Sequence, residues 1–391
     1  MILYDPSLTM RFSDYGIMLP ISASRAERVL EYMDGNFVKG TRGNTMPYPG
    51  PVFDFASALS YLEEPETKDI ITRADLERVH SADFIASLFG NMSAAGALAG
   101  SEESSVADGG LSGLEKALLH AYELIDSQGR PCRYEPAKAV KPLTALFETI
   151  LAQVSGTYLA CRLALTPGAG FCYYLGGGMH HARYDSGSGF CLVNDIAVAL
   201  RKIQTEGRAG LVWIIDVDAH KGDGTAELVR FARERAELAQ VPGRPGDYSK
   251  ATSILTLSAH MAHGWPLDEE SLALAEKGRA PLVPSDVDIG IDRGEEAAYV
   301  SRLAAGIAEL ETISGKKKPD LVLVVNGADP YEHDQLPSSA PLKLSLEQCL
   351  ARDNCIYRYV IDRNIPSAWI QAGGYGERAW EPSAYFLKNV R

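Results

Sequence analysis

The chain has 391 residues, of which 46% are hydrophobic and 23% are charged, close to the averages of globular proteins. This length predicts one large α/β domain or two ordinary ones, and it excludes a disulfide-stapled peptide; the composition argues against wholesale disorder. The 38 basic and 51 acidic residues give a formal net charge of −13, which argues against a nucleic-acid partner. Six cysteines without a C-x-x-C pair predict reduced thiols rather than a thiolate metal site.

The chain carries no pattern of a secreted or membrane protein. Asp5 and Arg11 interrupt the N-terminal segment where a secretion signal is apolar, so we expect a cytoplasmic protein. The longest apolar runs are strand-sized, far short of the ~20 residues that cross a bilayer, so no membrane partner is expected. Residues 93–113 are small and polar, which predicts a surface insertion within a single domain over residues 1–391.

Strand and helix patterns alternate along the chain. Four short apolar runs predict buried parallel strands at residues 171–175, 211–215, 321–325 and 368–370. Apolar residues at three- and four-residue spacing predict helices at residues 195–203, 226–239, 295–313 and 346–361. This alternation predicts an α/β fold with a single open, mainly parallel sheet and helices on both faces. Ligands of such sheets bind beyond the carboxyl ends of the strands.

The second run continues into DVDAHKGDGT, in which Asp216, Asp218 and His220 project to one side of an extended chain. Crowded ionisable groups at a buried strand end are costly, and a divalent cation removes that cost; a hydrogen-bonded strand end without metal is the alternative. The third run continues into NGADPYEHD and brings Asp329 to the same edge if the strands are neighbours. Asp218, His220 and Asp329 then form a catalytic site for zinc, or for iron(II), with a position left open for water.

The other two runs end in residues suited to proton transfer. His180 and His181 follow three glycines after the first run, and beside a metal-bound water such imidazoles can move a proton and stabilise charge. Asp216 and Asp223 are candidates for the carboxylates that orient them. The fourth run ends in QAGGYG, where Tyr375 can present its hydroxyl to an oxyanion, although an ordinary turn is the alternative.

Four motifs in this order, GGGMHHA, GFCLVND, DVDAHKGDGT with NGAD following, and QAGGY, resemble the zinc-dependent histone deacetylase family and its bacterial deacetylase-like amidohydrolases. The resemblance implies the arginase/deacetylase-like fold and one catalytic zinc in a narrow tunnel that accepts an acylated amine. By motif position it implies the following roles: zinc ligands Asp218, His220 and Asp329; acid/base residues His180 and His181 with partners Asp216 and Asp223; and a carbonyl-polarising Tyr375.

The resemblance also implies features around this centre. A structural potassium ion is expected at Asp216, Asp218, His220 and Ser258. The expected substrate-tunnel residues are Phe190, Gly189, Met179, His263 and Trp265, with His260 as a further candidate for the second wall. Met179 stands where relatives commonly carry a bulkier residue, which predicts an inner pocket of different width. Arg25 is a candidate for the arginine beneath the active site, and His80 is expected to be structural.

These residues predict a metal-dependent deacylase that hydrolyses the amide of an acylated amine. Acetyl-lysine in a protein or peptide is the favoured substrate, with an acetylated polyamine or another short acyl amide as alternatives. An arginase-like ureohydrolase is less favoured because DVDAHKGDGT offers too few carboxylates for two manganese ions. A catalytically silent metal-binding interaction module is the non-enzyme alternative, and oligomerisation is left open.

Overall fold

In the computed structural model, residues 1–34, 51–65, 69–90, 111–126, 128–239, 253–269, 272 and 282–390 are described. Most of the segment 93–113, expected to be an insertion, lies outside these residues. The described strands are β1 (Ile2–Leu3), β2 (Val52–Phe53), β3 (Phe171–Tyr174), β4 (Val212–Asp216), β5 (Ile254–Met261), β6 (Val287–Ile291), β7 (Leu321–Asn326) and β8 (Ser367–Gln371). They form one sheet in the order β2-β1-β3-β8-β7-β4-β5-β6, and all pairings of these strands are parallel.

The predicted fold class and all four predicted strands are confirmed. These strands form the centre of the sheet as β3, β8, β7 and β4. β4 and β7 are direct neighbours, with Asp216 opposite Val325, so the two loops that carry the expected metal ligands begin side by side. The sequence did not predict β1, β2, β5 and β6, which extend the sheet on both sides.

The described α-helices are α1 (Arg25–Asp34), α2 (Phe55–Tyr61), α3 (Arg73–Glu77), α4 (Ala82–Phe89), α5 (Gly113–Ala121), α6 (Leu146–Ala164), α7 (Asp195–Thr205), α8 (Asp223–Ala239), α9 (Tyr299–Ile313), α10 (Leu346–Asp362) and α11 (Glu381–Asn389). The four predicted helices are present as α7 to α10; α7 and α10 begin at the predicted residues, and the starts of α8 and α9 are shifted. α8 begins at Asp223, and α9 begins at Tyr299 because Glu296–Ala298 forms a 3-10 turn. No helix in the described part of the chain is long and apolar enough to cross a membrane.

Successive residues of a strand point to opposite faces of the sheet and contribute to two hydrophobic cores, one on each face. Ile214 and Leu323 belong to the core that contains residues of α6 and α7, whereas Ile215 and Val324 belong to the core that contains residues of α9, α10 and α11. Helices on both faces leave the carboxyl edge of the sheet for the loops that follow the strands. All six cysteines are free thiols, and four of them are buried.

Candidate active site and metal centre

The three expected metal ligands meet beyond the carboxyl ends of β4 and β7. One ligand atom each from Asp218, His220 and Asp329 lies within 4.8 Å of the other two, and all three side chains are buried. His220 Nδ1 is 2.9 Å from Asp329 Oδ2 and 3.3 Å from Asp218 Oδ1. The potential donor atoms therefore face one point.

Burial and close contact shift the pKa values of the ionisable groups in this cluster. Burial, followed by the charge of Asp218, raises the pKa of Asp329 to about 7. Burial opposes a charged His220, but the bonds to Asp218 and Asp329 raise its pKa to about 10. A divalent cation between the two carboxyl groups would supply the positive charge that a protonated His220 otherwise provides. Two carboxylate oxygens and one imidazole nitrogen fit zinc or iron(II).

Two glycines leave the space that these ligands need. A Cβ atom on Gly373 would lie 2.5 Å from Asp218 Oδ2 and 2.8 Å from Asp329 Oδ2. A Cβ atom on Gly327 would lie 2.4 Å from Asp218 Oδ2. Because real side chains do not approach this closely, any larger residue at either position displaces a carboxylate. The loops are therefore shaped around the donor atoms.

The tandem histidines lie beside the metal ligands, and each is bonded to the carboxylate expected for it. His180 Nδ1 is 2.7 Å from Asp216 Oδ2, and His181 Nδ1 is 2.8 Å from Asp223 Oδ1. Burial opposes charge on His180, but Asp216 and Asp218 raise its pKa to about 9. Burial, and then the charge of His180, lowers the pKa of His181 to about 4. His181 is therefore the neutral imidazole that can accept a proton at neutral pH.

Sequence reasoning missed Asp195, the buried residue that holds the loop of the tandem histidines. Its Oδ1 accepts a hydrogen bond from the Met179 amide at 2.6 Å, and its Oδ2 accepts one from the Gly178 amide at 2.9 Å. Asp195 is the first residue of α7 and the last residue of the motif GFCLVND. Its place in that motif was the feature of the sequence that could have identified it. The side chain thus fixes the backbone directly before His180.

Tyr375 lines the same cavity as the histidines. Its amide donates to Asp334 Oδ2 at 2.7 Å, and Arg25 Nη1 donates to the Gly374 carbonyl at 3.2 Å. Burial raises the pKa of the Tyr375 hydroxyl well above its usual value, so the group stays protonated and can donate a hydrogen bond. Asp334 accordingly supports the loop that carries Tyr375.

The cavity beside the candidate metal cluster has two parts that share lining residues, an inner part next to the buried Asp218 and an outer part next to the partly exposed Glu123 and Arg133. The inner part has a volume of about 140 Å³ and includes Met179, His180 and Asp218 in its lining. The outer part, about 270 Å³, is lined by Glu123, Arg133 and nine further residues. Both parts share the following lining residues: His181, Gly189, Phe190, His220 and Tyr375.

Aromatic rings form the walls of the outer part. The Phe190 ring lies 6.2 Å from the Tyr375 ring, and the Trp265 ring lies 4.5 Å from the His181 ring. His263 does not join them: its side chain is 84% exposed and its Nε2 lies 3.1 Å from Asp292 Oδ1. The chain turns between His263 and Trp265, so the indole faces the cavity and the imidazole faces solvent. His263 therefore does not line the cavity, contrary to the expectation from the sequence.

Of the four residues expected around a potassium ion, Asp218 and His220 belong to the candidate metal cluster, and Asp216 and Ser258 lie close to it. Asp216 and Ser258 are paired across β4 and β5, and the Gly222 amide donates to Ser258 Oγ at 3.4 Å. Asp218 and His220 follow Asp216 directly in the same loop. The potassium ion itself stays a prediction.

Comparison with known proteins gives both sequence relatives and a structural neighbour. The histone deacetylase domain matches residues 49–387. Histone deacetylase 2 of Arabidopsis thaliana is 26% identical over 238 residues, which cover 61% of this chain and 52% of that protein. The acetoin utilization protein AcuC of Bacillus subtilis is 28% identical over 229 residues, covering 58% of this chain and 52% of that protein. An uncharacterized Picosynechococcus protein is 31% identical over 228 residues, covering 58% of this chain and 63% of its own length.

The structural neighbour shares the fold over almost the whole chain. It is an acetylpolyamine aminohydrolase from Burkholderia pseudomallei, with a TM-score of 0.57, 18% identity, and coverage of 98% of this chain and 96% of its own. The sequence relatives are matched over 52 to 63% of their length. The domain match spans most of the 391 residues, so the chain belongs to the histone deacetylase domain family.

Proposed function

We propose that this protein is a metal-dependent deacylase that hydrolyses the amide bond of an acylated amine. The observation that carries the proposal is the convergence of three elements on one cavity. These are the buried ligand set of Asp218, His220 and Asp329, the neutral His181 with its carboxylate partner, and the protonated hydroxyl of Tyr375.

The proposed mechanism divides the work among these side chains. A zinc or iron(II) ion, held by the three ligands, would polarise the acyl oxygen and lower the pKa of a water molecule. Asp223 accepts a hydrogen bond from Nδ1–H of His181, which leaves Nε2 free to take a proton from the attacking water. The Tyr375 hydroxyl donates a hydrogen bond to the negatively charged oxygen that develops on the substrate. His181 or His180 then protonates the departing amine.

The mouth of the cavity favours acetyl-lysine in a protein or peptide as the substrate. Glu123 and Arg133 form an ion pair there, and the Arg133 guanidinium lies 5.6 Å above the Phe190 ring. Arg133 neutralises Glu123, and no other acidic side chain lines the outer cavity in the described part of the chain. A polyamine presents further ammonium groups, and the neutralised mouth offers them no unpaired carboxylate.

An acetylated polyamine is the second candidate. The formal net charge of −13 attracts cations over a long range, and the structural neighbour carries acetylpolyamine in its name. Ion pairs as exposed as Glu123–Arg133 stabilise a protein by ~1 kcal/mol or less. If this pair opened, the Glu123 carboxylate could bind a cationic substrate.

The test is turnover of acetyl-lysine peptides and acetylated polyamines by enzyme loaded with zinc, with iron(II), or with neither. We expect hydrolysis only with metal, at one ion per chain, and a higher kcat/KM for the peptides. Arg133→Gln should shift the preference toward polyamines by at least about threefold at low salt, the effect of one unit charge at ~6 Å in water. Undiminished turnover after complete metal removal, or no turnover of any acylated amine, would disprove the proposed activity.

A further inference from the structure

Arg352 is a buried arginine that lies outside the cavity and contacts the backbone of both metal-ligand loops. It belongs to α10 and is 0% exposed. Its Nη1 donates to the Val217 carbonyl at 3.0 Å and to the Gly327 carbonyl at 2.9 Å. Val217 directly precedes Asp218, and Gly327 lies two residues before Asp329. A single nitrogen atom thus joins the loop after β4 to the loop after β7.

The guanidinium is held in this orientation from its other side. Arg352 Nε donates to Asp353 Oδ1 at 2.8 Å, and the same oxygen accepts a hydrogen bond from Asn326 Nδ2 at 2.8 Å. Asn326 is the last residue of β7, and its Oδ1 accepts a hydrogen bond from the Tyr173 hydroxyl of β3 at 2.8 Å. The contact of Arg352 with the two loops is therefore fixed relative to the centre of the sheet.

Packing alone does not account for an arginine at this position. Burying an Arg–Asp pair costs desolvation, and apolar residues of similar volume often stabilise a protein as well or better. Within the described residues, Arg352 Nη2 and Asp353 Oδ2 have no hydrogen-bond partner, so the pair is not arranged for the strongest mutual bonding. Nη1, in contrast, donates two hydrogen bonds, and both go to the two loops.

We propose that Arg352 is a positioning residue of the metal centre. By holding the Val217 and Gly327 carbonyls on one nitrogen, it sets the separation of Asp218 and Asp329 before an ion binds. This inference rests on the metal site of the proposed function but on no particular substrate. Loss of the contact should weaken metal binding by about 10- to 100-fold, the usual effect of removing a residue that supports a metal ligand.

The test compares Arg352→Lys and Arg352→Met with Arg162→Lys. Lysine retains the positive charge beside Asp353, but its side chain ends about one bond short of the position of Nη1. It therefore cannot donate hydrogen bonds to both the Val217 and the Gly327 carbonyls. Arg162 is a matched control because it is also a buried arginine, bonded to Tyr158 and Glu64 and not to the ligand loops. The measurements are the zinc dissociation constant from chelator competition, the absorption spectrum of the cobalt(II) form, and thermal unfolding of the metal-free protein.

The inference is supported if Arg352→Lys weakens zinc binding at least about tenfold and alters the cobalt spectrum while Arg162→Lys does neither. It is overturned if Arg352→Lys binds zinc within about twofold of the wild type, or if Arg162→Lys weakens binding as much, since the cause is then general destabilisation. Should Arg352→Met fail to fold, the lysine variant decides alone. No substrate enters these measurements, so absence of deacylase activity would count against the proposed function and not against this inference.

Discussion

His80 links acid stability to the loop that carries the tandem histidines. The side chain is 1% exposed and lies between α3 and α4. Its Nδ1 is 2.7 Å from the Arg183 carbonyl, and its Nε2 accepts a hydrogen bond from the Asn194 amide at 3.1 Å. Both contacts are satisfied only by the neutral ring with its proton on Nδ1. If Nε2 were protonated, its N–H group would face the N–H group of the Asn194 amide, and the hydrogen bond between them would be lost.

The size of this effect follows from the two pKa values. Burial lowers the pKa of His80 from 6.5 to about 4 in the folded protein. Below pH 6.5 the unfolded chain therefore binds more protons than the folded chain, and the free energy of unfolding falls until the pH reaches about 4. At ~1.4 kcal/mol per pKa unit, the loss approaches ~3 kcal/mol across this window.

Urea unfolding of the metal-free protein between pH 4 and 7 tests the reasoning. His80→Asn retains a donor near the position of Nδ1 but does not titrate, so its stability should fall less steeply with decreasing pH than that of the wild type. Burial also lowers the pKa values of His181 and His260, so the readout is the difference between variant and wild type. His120→Asn, at an exposed position, serves as the control substitution. Equal slopes for His80→Asn and the wild type would refute the argument.

The other predictions concern the catalytic centre. Tyr375→Phe should retain its metal and lose at least ~10²-fold in kcat, and unchanged turnover would remove the hydroxyl from the mechanism. Gly373→Ala places a methyl group 2.5 Å from Asp218 Oδ2 and should lower metal content, measured by elemental analysis, whereas Gly210→Ala at an exposed turn should not. Asp329→Ala should lose the metal, and Asp223→Asn should keep it but lose activity; full occupancy in Asp329→Ala would contradict the ligand assignment.

The centre of the fold could be predicted because its strands are continuous apolar runs. β7 reads LVLVVN and β4 reads VWIID, and both are buried along their full length. Polar residues follow them directly. The sequence therefore predicted that Asp218 and Asp329 meet on the condition that β4 and β7 are neighbours, and the structure supplies that condition.

The outer parts of the fold could not be predicted because their patterns are short or mixed. β1 has two residues, and β5 reads ILTLSAHM with buried Thr, Ser and His side chains that no apolar run announces. Arg352 approaches the metal loops from a helix 135 residues after Val217, and helical periodicity gives no hint of such a contact. His263 and Trp265 are only two residues apart, yet the turn between them sends one to solvent and the other to the cavity.

The candidate metal ligands and the residues at the mouth of the cavity lie on parts of the molecule that we expect to differ in rigidity. The candidate metal ligands follow β4 and β7, which have a strand on either side, whereas Glu123, Arg133 and Trp265 at the mouth lie on connecting segments. Amide hydrogen exchange should accordingly be slowest in the strands beneath the ligands and fastest at the mouth. The mouth segments could then change, and with them the molecules that enter the cavity, while the candidate metal ligands keep their positions.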